Sequence, residues 1–290
     1  MAANLSEMTY SETKLTHKFH DGSFASVVDT ESIQSIEKKL LNIFEENEKL
    51  DKPVFHFVNK GAIQKLAYFL SGAVKRPVTI GIAGATASGK STFALDIIEC
   101  INQNANKLNH PQPVTRVNTD DYYHDRSEMI AAAGSFENFA KNYDYDVPEA
   151  IELSLLKSHI EQLILGNEVW IPKYTMDHRA IRYDKYRLAT PTPVIVSEGI
   201  FTLREELNDI FDFTFFVDID ETVQRQRWYE RAEKRKLIGE VADSVYNKAM
   251  TRAKTYVLPT IKNADFIING EAKREDFKNF VTKLVENLAL

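Results

Sequence analysis

The residues with the clearest chemistry stand together at Gly84-Ala85-Thr86-Ala87-Ser88-Gly89-Lys90-Ser91, with Thr92 next. They match G-x-x-x-x-G-K-[ST]. An apolar β-rich run, Val78 to Ala83, leads in, and an apolar-periodic stretch, Ser91 to Ile101, leads out, which is the strand-loop-helix setting the motif requires. Glycines here let the backbone turn tightly and aim successive N–H groups at phosphate oxygens, while the start of the next helix adds partial positive charge. Lys90 then reaches the β and γ phosphates of a nucleoside triphosphate, and the Ser91 hydroxyl can ligate Mg²⁺. Kinases, ATPases and GTPases all use such a loop, so it does not choose among them.

Phosphoryl transfer to an acceptor needs a group to take the acceptor's proton and a second acid near the metal. Both have candidates at strand ends. Arg116 to Thr119 closes one strand and Asp120-Asp121-Tyr122-Tyr123 follows at once, with Asp120 and Asp121 as rivals for the base. Val194 to Ser197 is an apolar strand ending in Glu198-Gly199, where a Walker-B acid stands. An acid on such a strand calls for a cation or a hydrogen-bond partner. Arg227, Arg231 and Arg235 recur every four residues along one face of a predicted helix, with Arg225 offset. An ordinary solvated face is the alternative for that stripe, with Glu221, Glu230 and Glu233 at hand as ion-pair partners.

Short β-rich runs at Val78 to Ala83, Val114 to Asn118, Val194 to Val196, Phe213 to Val217 and Phe266 to Ile268 must carry these groups. Helical stretches such as Pro148 to Leu165 and Thr222 to Leu237 separate them. The alternation predicts an α/β fold, a doubly wound parallel sheet of the P-loop NTPase type with helices on both faces. Ligands of such sheets gather outside the C-terminal strand ends. Ahead of the loop, Ser32 to Leu50 and Asn59 to Val74 carry helical periodicity around an apolar stretch, Val54 to Val58, and residues 1 to about 30 are polar without period and expected to be partly disordered. The expected organisation is an N-terminal extension, 1–75, and a P-loop domain, 76–290.

A chain of 290 residues with 43% hydrophobic and 27% charged residues has the composition of an ordinary globule. Its net charge of −6 argues against nucleic acid or an anionic membrane as principal partner. Cys100 is the only cysteine, so an intrachain disulfide is excluded and a reducing, cytoplasmic setting is expected. No signal segment or stretch of about 20 apolar residues stands out. A small-molecule substrate is the expected partner, with a homo-oligomer left open.

At this point the residues resemble a family. The loop GIAGATASGKST, the Asp-x-aromatic-Tyr set after the next strand, the strand ending in Glu-Gly, and Leu258-Pro259-Thr260 followed by Ala264-Asp265-Phe-Ile-Ile resemble the uridine kinase group of the uridine kinase, phosphoribulokinase and pantothenate kinase superfamily. The resemblance covers about residues 77 to 270. It implies ATP and Mg²⁺ and phosphoryl transfer to a small-molecule hydroxyl, most simply that of uridine or cytidine, with pantothenate, a sugar phosphate or glycerate as alternatives. A nucleotide-dependent regulator without transferase activity is the reading from another class. By the resemblance Asp120 is the general base with Lys90 stabilising charge, and Tyr123 lines the acceptor pocket. Asp144, in Asn142-Tyr143-Asp144 ahead of Pro148-Glu149-Ala150, binds sugar hydroxyls, with Asp146 as its rival because one extra residue precedes the proline. Tyr174 and His178 belong to a substrate hairpin that touches the base, although the gap between them is one residue short of the family pattern. Arg227 and Arg231 resemble the lid helix that closes over the transferred phosphoryl group, a task suited to planar, permanently charged guanidinium groups.

Overall fold

The computed structural model describes residues 30–286 apart from 73, 75, 106–109, 136–137, 140–142 and 176–180. His178 and the polar segment before residue 30 therefore lie outside the described residues. In chain order the elements are α1 Thr30–Glu48, β1 Phe55–Val58, α2 Lys60–Leu70, β2 Val78–Ala83, α3 Lys90–Gln103, β3 Val114–Asn118, α4 Ser127–Ala132, α5 Leu153–Ile164, β4 Val169–Thr175, β5 Ile181–Ala189, β6 Val194–Glu198, β7 Phe213–Asp218, α6 Glu221–Lys234, α7 Gly239–Arg252, β8 Phe266–Asn269 and α8 Arg274–Glu286.

Six strands form the main sheet in the order β1-β8-β7-β2-β6-β3, and β4 and β5 form a separate antiparallel pair. The five strands from β8 to β3 run parallel. Each is wrapped on both faces, which is why they read as nearly continuous apolar runs. In β6, Val194 and Val196 enter the core shared with Phe93 and Ile97 of α3, whereas Ile195 between them enters the core shared with Leu156 and Ile160 of α5.

The sheet departs from the all-parallel expectation at one edge. β1 pairs antiparallel with β8, Phe55 opposite Ile268 and Val58 opposite Phe266. The described part of the N-terminal extension thus shares the core of the sheet: the rings of Phe44 and Phe55 pack at a tilt against Phe280 at centroid distances of 5.0 and 4.5 Å. Asn47 fixes the turn from α1 into β1, its side-chain oxygen accepting from the Val54 and Phe55 N–H groups at 2.6 and 3.1 Å.

The expected helix from Pro148 to Leu165 is a 3₁₀ turn, Pro148–Ala150, followed by α5. The intervening residues are drawn out straight by the loop after β3. Tyr123 bridges to Ile151, and the Glu152 N–H donates to the Tyr122 carbonyl at 2.9 Å. Among the described residues no helix is long and apolar enough to cross a membrane.

Candidate active site

Three neighbouring strands end level with one another. Ile82 of β2 and Asn118 of β3 both stand opposite Glu198 of β6, so the phosphate-binding loop, the Asp120 turn and Glu198 leave the sheet at the same edge. Two glycines permit this crowding. Gly84 holds φ at 154°, and a Cβ there would lie 2.6 Å from Ser88 Oγ and 2.8 Å from the Val217 carbonyl. A Cβ on Gly199 would fall 1.6 Å from Thr119 Oγ1, so only glycine lets the β6 end approach the turn that carries Asp120.

Beyond Gly84 the loop wraps into α3, whose first residue is Lys90. The Gln224 side-chain amide of α6 donates to the Thr86 carbonyl at 2.8 Å and ties the loop to that helix. Ser88 Oγ is buried and has no hydrogen-bond partner among the described residues, the state expected of a donor that awaits a phosphate oxygen. Lys90, Ser91, Thr92, Arg227 and Arg231 line one cavity of about 440 Å³. Loop, lysine and cavity fit a triphosphate.

Glu198 is 2% exposed. One oxygen accepts from Ser91 Oγ at 2.9 Å and the other pairs with Arg116 Nη2. A hydroxyl beside a carboxylate is the hard-oxygen donor set a divalent cation takes. No group of three or more His, Cys, Asp or Glu able to hold a metal occurs among the described residues. A cation here would therefore be held by Ser91 and Glu198 and complete its shell from phosphate oxygens and water.

Asp120 caps the arrangement. Its N–H donates to Asn118 Oδ1 at 3.1 Å. Burial pushes its carboxyl up from the usual range and the charge of Glu198 adds to this, while Lys90, Arg231 and Arg116 act in the opposite sense. The rival Asp121 is drawn the other way: its carboxyl, also raised by burial, faces Arg187 and the Tyr174 N–H of the hairpin. Of the two, Asp120 is the one surrounded by the phosphate-side charges.

An aromatic cluster stands beside Asp120, whose charge acts on Tyr123. Tyr123 and Tyr174 stack at 5.3 Å, and Tyr145 meets Tyr123 edge-on at 6.2 Å. The hydroxyls of Tyr145 and Tyr174 are buried without a partner among the described residues. Asp144 and Asp146 differ in surroundings. Asp144 pairs with Arg252 of α7. Burial, then the charge of Asp144, pushes Asp146 up to about 6, and Lys90 and Asp120 also act on it, so the second acid is the one in electrostatic contact with the phosphate side.

On α6, Arg227 Nη1 donates to the Gly270 carbonyl at 2.9 Å. Arg235, whose pKa is lowered by burial and then by Arg231, feels the charge of Asp120. No ion pair is formed by Arg227, Arg231 or Arg235 among the described residues, and Glu230 instead accepts from Gln226. Arg227 and Arg231 of the stripe line the cavity.

A model of the phosphoribulokinase / uridine kinase family matches residues 79–278. The chain belongs to this family. Uridine kinase of Halobacterium salinarum is 33% identical over 192 residues, covering 65% of this chain and 78% of that protein. Uridine kinase of Lactiplantibacillus plantarum is 31% identical over 219 residues, 74% of this chain and 97% of that protein. Phosphoribulokinase from Rhodobacter spheroides superposes with a TM-score of 0.48 at 14% identity, over 66% of this chain and 68% of that one. By its family the protein is a small-molecule kinase that works with ATP and a divalent cation.

Three contributors to this kinase site escape sequence reasoning. Arg116 is one, although a charged residue between Thr115 and Val117 in a β-rich run is itself a signal of an internal partner. Gln224 carries no such signal, because its value lies in meeting a carbonyl 138 residues away. Arg182 is another: its guanidinium donates to the Tyr122 and Tyr123 carbonyls at 2.9 and 3.2 Å and to Glu152 at 2.8 Å, contacts that fix the turn carrying Asp120 to the hairpin.

Proposed function

We propose that the protein transfers the γ phosphoryl group of ATP, with Mg²⁺, to the 5′ hydroxyl of uridine or cytidine. Asp120 takes the hydroxyl proton, Lys90 neutralises charge on the transferred group, and Ser91 and Glu198 hold the cation. Arg227 and Arg231 close over the phosphates. Most of the rate enhancement then comes from alignment and charge neutralisation, as a loose phosphoryl-transfer transition state demands.

The observation that supports this reading is the level ending of β2, β6 and β3, which sets the phosphate loop, Glu198 and Asp120 at one edge beside an aromatic cluster. Stacked tyrosines with two unpartnered buried hydroxyls suit a flat, polar base. Asp146, in electrostatic contact with Lys90 and Asp120, is our ligand for the sugar hydroxyls; Asp144, engaged by Arg252, sets its charge. Arg182, held by two carbonyls and Glu152, is not free to meet a phosphate on the acceptor. The uridine kinases of H. salinarum and L. plantarum support the same acceptor class. The setting we infer is the cytoplasm, with no nucleic-acid partner and a homo-oligomer as an open possibility.

A coupled ADP-release assay against uridine, cytidine, pantothenate, ribulose 5-phosphate and glycerate tests it. Turnover is expected on the two nucleosides, and silence on both would end the proposal. Asp120→Asn should lower kcat by at least about a hundredfold while ATP binding holds. Because burial raises the Asp120 carboxyl, the acid limb of the wild-type rate profile should sit above the ordinary carboxylate range.

A further inference from the structure

The nucleotide cavity has a wall that the phosphate chemistry does not use. Besides the loop it is lined by Asp96, Asn269, Gly270, Ala272 and Arg274. Asp96 lies six residues beyond Lys90 on α3, about 9 Å along the helix axis. It is 2% exposed, whereas Arg274, the first residue of α8, is 60% exposed. Arg274 Nε donates to both carboxylate oxygens of Asp96, at 2.8 and 2.7 Å, and Nη2 bonds the same group. Nη1 takes no part in this pairing.

Two features argue that neutralising a buried acid is not the whole role. A cation in the first turn of a helix opposes the helix dipole, so this position is a poor one for stability alone. Asp96 also has Lys278 at 3.8 Å as a second cation. What Arg274 supplies beyond charge is a rigid plane, pinned along one edge, with its remaining edge and face available at the border of the cavity. Guanidinium planes stack on aromatic rings and donate to ring nitrogens and carbonyls.

We infer that Arg274, locked by Asp96, grips the purine base of the phosphate donor. Asp96 is a positioning residue and Arg274 the contact. This rests on the reading that the Gly84–Thr92 loop binds the triphosphate of ATP.

The test uses the full chain and three measurements: steady-state kinetics with ATP, competition by inorganic tripolyphosphate against ATP, and thermal melting. Arg274→Ala should raise KM for ATP about five- to twentyfold, leaving the inhibition constant of tripolyphosphate, kcat and KM for the acceptor unchanged. Arg274→Ala should also lower the melting temperature by leaving the buried Asp96 with Lys278 alone, and Arg274→Lys should restore it, since an ammonium still pairs with Asp96, but keep KM for ATP raised because the plane is gone. Three results overturn the inference: no change in KM for ATP in Arg274→Ala, recovery of both properties in Arg274→Lys, or parallel weakening of ATP and tripolyphosphate. Failure of tripolyphosphate to compete with ATP in the wild type would instead remove the phosphate-loop reading beneath it.

Discussion

Changing Asp146 to Asn sets stability against substrate binding at one side chain. The neutral amide keeps the size of the carboxyl and removes its charge. Burial and the neighbouring Asp144 move the Asp146 pKa from 3.8 to about 6, so holding this group ionised in the folded state is unfavourable. At 1.36 kcal/mol per pH unit the rise is worth up to about 3 kcal/mol, and partial hydration of the side chain brings the expected gain on substitution to about 1–3 kcal/mol. The sign follows from proton binding. Below pH 3.8 the acid is neutral in both states and the variant has no advantage. Between 3.8 and 6 the unfolded chain loses its proton first, and the wild type loses stability as pH rises. Above 6 the deficit is complete. Melting curves at pH 8, 7, 6, 5 and 4 should therefore show Asp146→Asn ahead by several degrees at pH 8, at about 2–4 °C per kcal/mol. The gap should close as pH falls from 6 towards 4. In the same variant KM for the acceptor should rise by about tenfold or more at pH 8, the loss expected on removing a charge-assisted hydrogen bond. A variant no more stable than wild type at pH 8, or a gap that does not vary with pH, would refute the placing of this carboxyl beside Asp144 and Asp120.

Lys90→Ala should lower both ATP affinity and turnover severely; unchanged calorimetric and kinetic constants would remove the lysine from the mechanism. Gly199→Ala drives a methyl group to within 1.6 Å of Thr119 Oγ1. It should destabilise the fold by about 1–3 kcal/mol and reduce kcat by moving the Asp120 turn, read out by denaturant titration and single-turnover rates. Wild-type stability and turnover in that variant would show that the two strand ends are not so closely apposed.

Local features of the sequence carry the parts of the site that depend on local backbone. The loop from Gly84 to Ser91 is legible because its function is performed by consecutive amides and by the start of the helix that follows, all set by residue type over eight positions. Glu198-Gly199 and Asp120 are legible for a related reason: a carboxylate at the end of an apolar run is conspicuous. The alternation of strands and helices likewise implies a parallel sheet, since parallel strands need crossovers. The antiparallel β1 is less legible, because four residues, Phe55–Val58, have no period long enough to distinguish an edge strand from a linker.

Choices between neighbours are decided only by tertiary contacts. Asp120 and Asp121 are adjacent and chemically identical. They lie in one 3₁₀ turn, Thr119–Tyr122, packed between loop and hairpin so that one acid meets the charge of Lys90 and the other that of Arg187. Asp144 and Asp146 divide in the same way, through an arginine more than a hundred residues distant. The sequence alone thus determined that a triphosphate loop sits at a strand end, because helix start, glycine freedom and lysine reach are local. Which acids and arginines face that loop depended on strands meeting in register and on α6, α7 and α8 folding back over the edge, and such distances between remote residues have no local signature.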